Sequence, residues 1–146
     1  MSDSSAKQNK ENVEAMWRAL AAMDWDTLKS YMHPDIHYID VPADDPGAHG
    51  PDNCVKRLSI AFDHLEKQEQ ITHHIAAEGD VVFLDHTEIW TFNRGETAQH
   101  RFVTMHEMKD GKVFRWSDFW DMNKFVSQFP AWFIEEMAKS SAEDFS

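Results

Sequence analysis

Three turn signals divide the second half of the chain into four extended segments. The turns are Gly79-Asp80, Asn93-Arg94-Gly95 and Asp110-Gly111, and the segments cover about 71–77, 81–92, 98–108 and 112–120. Glycine next to Asp or Asn is typical of tight hairpin connections. We therefore predict an antiparallel meander. Because such a sheet buries one face, the rest of the chain must cover it.

The first part of the chain predicts helices. A helix over about 8–22 is indicated by apolar residues at helical spacing, namely Val13, Met16, Trp17, Leu20 and Ala21. Asp24 and Asp26 can cap a second, short helix. That helix should end at the turn His33-Pro34-Asp35, because a proline holds the residue before it in an extended conformation.

The remaining elements complete an α+β order. A strand over 36–41 and a loop over 42–51 precede a third helix, which the apolar spacing extends to about Gln68. Asp121 can cap a closing helix, and Pro130 can begin a last helical turn. Helices followed by a long meander predict a curved sheet, wrapped by three to four helices around one apolar pocket.

Length and composition limit the function. A chain of 146 residues suits one domain, predicted over 11–138 between a disordered polar lead (1–10) and a polar tail (139–146). A net charge of -12 opposes binding to nucleic acid and anionic membranes. Neither a signal sequence nor a membrane-spanning apolar run is evident, so we expect a soluble, cytoplasmic protein.

Aromatic residues are unusually abundant. The chain has six Trp and ten Phe, concentrated after Trp90, which indicates that something apolar is enclosed. We predict a pocket lined by large apolar side chains, namely Trp17, Leu84, Trp90, Phe102, Phe114, Trp116 and Trp120. A later stripe, Phe125, Phe129, Trp132 and Phe133, indicates either core or an association surface, and we expect a homodimer.

Polar side chains interrupt the apolar faces of the predicted strands. Period-two alternation places His86 and Glu88 on one face of segment 81–92, and Asp118 among aromatics on segment 112–120. Tyr38 and Asp40 share a face of the first strand. Carboxyls held close together in an apolar site cannot all ionise, so one can donate a proton while another accepts one.

Standard catalytic motifs are absent from the sequence. It contains no glycine-rich phosphate loop, no Gly-x-Ser-x-Gly and no His-Glu-x-x-His. The histidines do not follow zinc-ligand spacing, and no metal site is predicted, although His86 with Asp40, Glu88 and Asp118 has suitable donor atoms for a cation.

Three stretches carry a resemblance to a known family. Residues 38–42, Tyr-Ile-Asp-Val-Pro, are similar to the Tyr-x-Asn-x-Pro of limonene epoxide hydrolases. His86-Thr87-Glu88 lies where that family has Arg-x-Asp. Residues 116–121, Trp-Ser-Asp-Phe-Trp-Asp, resemble its Trp-Arg-Asp-Tyr-Phe-Asp. The family is a branch of the nuclear transport factor two-like superfamily, and the resemblance implies that cone-shaped fold.

The resemblance also implies a cofactor-independent reaction. Water would be added to the epoxide of a small hydrophobic, terpenoid-like molecule, with Asp118 as base and Glu88 as acid. Tyr38 and Asp40 would hold the water, and His86 would lie between the two carboxyls in place of the family's arginine. His86 offers two donors where arginine offers five, and it titrates near neutral pH.

Two other functions remain open at this point. Ketosteroid isomerases and SnoaL-like polyketide cyclases belong to the same superfamily, and their resemblance implies proton abstraction from a ketone or polyketide by Asp118 or Asp40. A dimer that binds a small ligand without turnover is the non-enzymatic alternative. Fold-level likeness does not choose among these functions.

Overall fold

A computed structural model describes residues 3–140 of the chain, with side chains from residue 5 onward. Eleven elements follow one another in these residues: α1 (Asp3–Ala21), α2 (Trp25–Ser30), β1 (Met32–Asp40), β2 (Ala48–His49), α3 (Pro51–Phe62), β3 (Leu65–Glu78), β4 (Val81–Phe92), β5 (Thr97–Lys109), β6 (Lys112–Phe119), α4 (Met122–Val126) and α5 (Ala131–Met137).

One six-stranded sheet organises the fold. Its strand order is β2-β1-β6-β5-β4-β3, and every neighbouring pair is antiparallel except β1 and β6, which are parallel. The predicted meander is therefore the run from β3 to β6. A curved sheet with helices against one face confirms the predicted α+β, nuclear transport factor two-like fold class.

The third helix is shorter than predicted. Helix α3 ends at Phe62, and β3 starts at Leu65, which pairs with Phe92 on β4. Residues 66–70 have the composition of a helix, but the long edge of β4 offers them a full ladder of backbone partners. Tertiary pairing overrides a weak local preference here.

Two further boundaries differ from the prediction. Residues 3–10, assigned from their polarity to a lead, are the first turns of α1, and Asn9 is buried there. Strand β1 begins at Met32, so Pro34 lies inside it. The register with β6 shifts between Met32 and His37, and this irregularity accommodates a residue without a backbone donor. Residues 1–2 and 141–146 of the predicted lead and tail lie outside the described part.

The inner face of the sheet and the helices share one hydrophobic core. Helix α1 buries Val13, Met16 and Leu20 against it, and the closing segment buries Phe125 and Phe133. The outer face leaves Phe83, Val103 and Phe119 exposed. Dimerisation stays a prediction. No helix in residues 3–140 is long and apolar enough to cross a membrane.

Candidate active site

The parallel pairing of β1 with β6 brings the first and last predicted polar residues together. Tyr38 is in register with Trp116, and Asp40 is in register with Asp118. Because alternate residues share a face, all four side chains project to the inner side of the sheet. The Tyr38 ring stacks on Trp116 with 4.3 Å between ring centroids.

These residues line one cavity of about 390 Å³. Five of the predicted pocket residues, Trp17, Trp90, Phe102, Trp116 and Trp120, contribute to its wall. The helices and the link between α4 and α5 add aromatic residues that sequence reasoning did not assign to the pocket, namely Phe62, Phe125, Phe129 and Phe133. Most of the stripe expected in the core or at an association surface therefore encloses the cavity.

Two predicted pocket residues lie elsewhere. Leu84 is on the inner face, but it belongs to the buried core rather than to the cavity wall. Phe114 is turned outward, where its ring contacts His33, Lys109 and Arg115. A register shift between β5 and β6 beside Met108 interrupts the simple alternation that had placed Phe114 inside.

Asp118 is a buried carboxyl with one free oxygen. Its Oδ1 lies 2.7 Å from the Thr104 hydroxyl and accepts a hydrogen bond from Trp116 Nε1 at 2.8 Å. Its Oδ2 has no hydrogen-bond partner among the described residues, and the side chain lines the cavity. Burial, followed by the negative charge of Asp40, raises the pKa of Asp118 well above its ordinary value. Asp118 therefore favours its protonated form.

Glu88 favours the opposite state. Trp90 Nε1 donates to its Oε1 at 2.9 Å, Gln70 Nε2 donates to its Oε2 at 3.0 Å, and His100 Nε2 lies 3.8 Å from Oε1. Burial alone would raise the pKa of Glu88, but the His100 imidazole 3.8 Å away and the Trp90 hydrogen bond outweigh it, and the pKa lies below its ordinary value. These pKa directions are opposite to the ones expected if Asp118 were the base and Glu88 the acid, as the family resemblance implies.

Asp40 has a cation that Asp118 lacks. Arg57, on α3, contacts Asp40 Oδ2 through its Nε and a terminal nitrogen, at 3.3 and 3.1 Å, and also pairs with Asp45. Tyr38 OH and Trp120 Nε1 donate to Asp40 Oδ1, each at 3.1 Å. Burial raises the pKa of Asp40 and the Arg57 guanidinium counteracts this. The pKa of Asp40 stays above its ordinary value. Among the described residues no Lys or Arg contacts Asp118, so burial and the Asp40 charge raise the pKa of Asp118 without an opposing cation beside it.

His86 does not contact either carboxyl directly. It is fully buried, its Nε2 lies 2.9 Å from the Thr104 hydroxyl, and its Nδ1 lies 2.8 Å from Gln70 Oε1. Burial lowers its pKa to about 4, so the imidazole is neutral near neutral pH. The predicted bridging histidine is therefore a link in a longer hydrogen-bond chain.

A second buried histidine supports the cavity wall. Trp17 Nε1 donates to His106 Nε2 at 2.8 Å, and His106 Nδ1 donates to the backbone carbonyl of Val82 at 3.0 Å. These contacts fix one neutral tautomer, and burial lowers the pKa of His106 to about 3. Trp17 in turn packs edge-on against His86, with 4.4 Å between ring centroids.

Sequence reasoning missed four polar residues of the site. Arg57 lies three residues after buried Cys54, a spacing that puts both on the same side of α3. Thr104 and His100 alternate with apolar residues on the inner face of β5. Gln70 was missed because the predicted strand began one residue later. Arg101 points outward and pairs with Asp85.

Within residues 3–140, no group of three or more His, Cys, Asp and Glu side chains is arranged to hold a metal ion. The cavity wall offers proton donors and acceptors, among them Asp40, Glu88 and Asp118, in an apolar enclosure. It can move protons to and from oxygen atoms of a ligand that fits the cavity.

The sequence is similar to a known domain family. The model of the SnoaL-like domain family matches residues 13–116. The match runs from the second half of α1 through most of β6 and ends two residues before Asp118. No protein of curated function matches the chain.

Solved structures extend the likeness over the whole fold. An LEH-like epoxide hydrolase from M. tuberculosis superposes with a TM-score of 0.74 at 21% identity, over 92% of this chain and 98% of its own. A putative SnoaL-like polyketide cyclase from Jannaschia sp. CCS1 gives 0.75 at 19% identity, over 86% and 94%. TerC, co-crystallised with polyporic acid, gives 0.73 at 25% identity, over 83% and 97%.

Proposed function

The chain belongs to the SnoaL-like domain family, and on that premise we propose that it is a cofactor-independent enzyme that adds water to the epoxide of a small apolar molecule. One observation carries the proposal: two carboxyls with opposite protonation preferences, Asp118 and Glu88, line one aromatic cavity. An epoxide needs an acid at its oxygen and a base at the attacking water, both present at the same pH.

Asp118 is the proposed acid. It favours the neutral carboxyl, and its Oδ2 is available to a ligand because both protein contacts fall on Oδ1. As the carbon–oxygen bond of the epoxide breaks, the Asp118 proton passes to the departing oxygen. The neighbouring carboxylate of Asp40, paired with Arg57, keeps the proton on Asp118 until then.

Glu88 is the proposed base. Each of its oxygens accepts one short hydrogen bond, from Trp90 or Gln70, and a carboxylate oxygen has a second lone pair for a water. The water oxygen bonds to an epoxide carbon while one water proton moves to Glu88. The product is a vicinal diol, with Asp118 ionised and Glu88 protonated.

The cavity defines the class of substrate. Its volume of about 390 Å³ suits a small molecule, and its wall is mostly aromatic. Trp and Phe faces favour apolar or flat ring systems over charged ones. A cyclic epoxide with no charge, terpenoid or aromatic, fits both properties.

The test is turnover of a panel of apolar cyclic epoxides in ¹⁸O-labelled water, read by mass spectrometry of the diol. We expect Asp118→Asn and Glu88→Gln each to lower kcat by roughly 10²- to 10⁴-fold. Asp110→Asn, the same chemical change in the β5–β6 turn, should keep wild-type turnover. Label-free diol, or turnover that neither cavity variant lowers, would contradict the proposal.

Enolisation of a ketone is a second candidate. A neutral carboxyl with a free oxygen, such as Asp118, can hydrogen-bond a developing enolate while an ionised one, such as Glu88, removes the adjacent proton. Exchange of deuterium from heavy water into a panel of cyclic ketones separates the two reactions. Exchange that is lost in Glu88→Gln, without any diol from epoxides, favours the isomerase or cyclase reaction. Binding of a small ligand without diol formation or deuterium exchange would favour the non-enzymatic, ligand-binding function.

A further inference from the structure

Asp118 and Glu88 are joined by a continuous chain of hydrogen bonds on the inner face of the sheet. We propose that this chain, through Thr104, His86 and Gln70, makes the two carboxyls hold one proton in common, and that Gln70 is a positioning residue for it. The inference deepens the proposed function, on which its catalytic meaning rests, but the chain can be tested without any substrate.

Four consecutive contacts form the chain. The Thr104 hydroxyl lies 2.7 Å from Asp118 Oδ1 and 2.9 Å from His86 Nε2. His86 Nδ1 lies 2.8 Å from Gln70 Oε1, and Gln70 Nε2 lies 3.0 Å from Glu88 Oε2. Each distance is that of a hydrogen bond, so each contact needs one proton between its two atoms.

The chain needs one proton more than its neutral members supply. Thr104 has one hydroxyl proton, a neutral His86 has one ring proton, and the Gln70 amide directs one proton into the chain. Three protons serve four contacts. The fourth contact is satisfied only when a further proton resides on Asp118, on Glu88 or on His86.

The contacts can run in either direction. With the proton on Asp118, that carboxyl donates to Thr104, Thr104 donates to His86 Nε2, His86 Nδ1 donates to Gln70 Oε1, and the Gln70 amide donates to ionised Glu88. With the proton on Glu88, every donor reverses. The reversal requires the other tautomer of His86, a rotation of the Thr104 hydroxyl, and a flip of the Gln70 amide by roughly half a turn.

The two directions are the states before and after the proposed reaction. Catalysis removes a proton from Asp118 and adds one to Glu88, so the number of protons in the chain is unchanged. To reach the epoxide oxygen the Asp118 proton must first pass from Oδ1 to Oδ2, and Thr104 then donates to Oδ1. All four contacts have a proton again once Glu88 has taken one from the water. The pair therefore starts and ends each turnover with one acid and one base.

Other charged groups also act on the two carboxyls. Asp40 acts on Asp118, and His100 acts on Glu88. Tyr38 interacts with both carboxyls, and Arg57 acts on Asp40. His73 and Asp85, on the outer side of β3 and β4, act on His86 in the middle of the chain. A substitution of Gln70 leaves all of these charges in place. A change in the ionisation of Asp118 in such a variant therefore reports on the hydrogen-bond chain and not on the surrounding charges.

The experiment is a carboxyl NMR titration of protein labelled with ¹³C at Asp, with the Asp118 signal identified by its loss in Asp118→Asn. Gln70→Met leaves only the Asp118–Thr104 and Thr104–His86 contacts. His86 can donate to Thr104 and Thr104 can donate to ionised Asp118, so no further proton is needed. We expect Asp118 to ionise about 1 pH unit lower in this variant, although residue 70 does not touch it.

Gln68→Met is the matched control. Gln68 is a buried glutamine on the same strand whose amide atoms have no hydrogen-bond partner among the described residues. Asp118 should ionise there as in the wild type. An unchanged or higher midpoint in Gln70→Met, or an equal shift in both variants, overturns the shared proton. If the methionine variant does not fold, Gln70→Leu removes the same two hydrogen bonds.

Activity then distinguishes the chain from the proposed reaction. The high-pH limb of any measured kcat profile should move down by the same 1 pH unit or so in Gln70→Met and stay in place in Gln68→Met. A shifted NMR midpoint in a protein that turns over no epoxide and no ketone would keep the chain and reject the reaction.

Discussion

Acid should destabilise this protein through His106, because burial keeps the imidazole neutral and its Nε2 accepts a hydrogen bond from Trp17. Its pKa is about 3 in the folded protein against an ordinary 6.5. Between these values the unfolded chain binds a proton that the folded protein does not, so the contribution of His106 to stability is complete above about pH 6.5 and is lost as the pH falls towards 3.

The size of the effect follows from the two pKa values. At about pH 5 an unfolded histidine is protonated roughly 30 to 1, which favours unfolding by about 2 kcal/mol, whereas the folded imidazole is still neutral. At about pH 7 the same contribution is only about 0.2 kcal/mol. Lowering the pH from 7 to 5 should therefore cost the wild type about 2 kcal/mol more than a variant without this imidazole.

His106→Gln is the appropriate variant, because a glutamine oxygen can still accept the Trp17 hydrogen bond while the side chain does not titrate. The free energy of unfolding is measured by urea denaturation with tryptophan fluorescence at both pH values. Asp118, whose raised pKa acts in the opposite direction, is present in both proteins and cancels in the comparison.

The exposed His73 supplies the control. His73→Gln removes a histidine from the outer face of the sheet and should keep the wild-type loss of stability with acid. Equal losses in wild type and His106→Gln would refute the reasoning, since the buried imidazole would then take up a proton as readily in the folded protein as in the unfolded chain.

Two other predictions follow from the loop and the helix beside the site. Gly47→Ala should lower the free energy of unfolding by more than about 1 kcal/mol, because residue 47 has φ +75° and a new Cβ would lie 2.3 Å from the Tyr38 carbonyl oxygen. Gly79→Ala, at φ +58° with open space around it, should lose only the conformational part, and equal losses in urea denaturation would contradict the clash. Arg57→Met should raise the pKa of Asp40 further, seen as a higher midpoint of its carboxyl signal in NMR, whereas Arg101→Met on the outer face should leave that midpoint unchanged.

The sequence by itself determined most of the elements and part of the cavity wall. Three glycine turns fixed the hairpins, and period-two alternation placed His86, Glu88 and Asp118 on the inner face, because alternate residues share a face wherever no register shift interrupts the strand. Helix boundaries were less secure. Residues 65–68 continued a helical pattern locally, and only the presence of β4 made them strand.

Tertiary structure alone decided the chemistry of the site. The parallel pairing of β1 with β6 sets Asp40 beside Asp118, and Arg57 then stabilises the charge of one of these carboxyls and not the other. Glu88 is surrounded by donors from three strands. Protonation depends on burial and on neighbours distant in sequence, so the raised pKa of Asp118 and the lowered pKa of Glu88 could not be read from the chain. The family resemblance had implied the opposite directions.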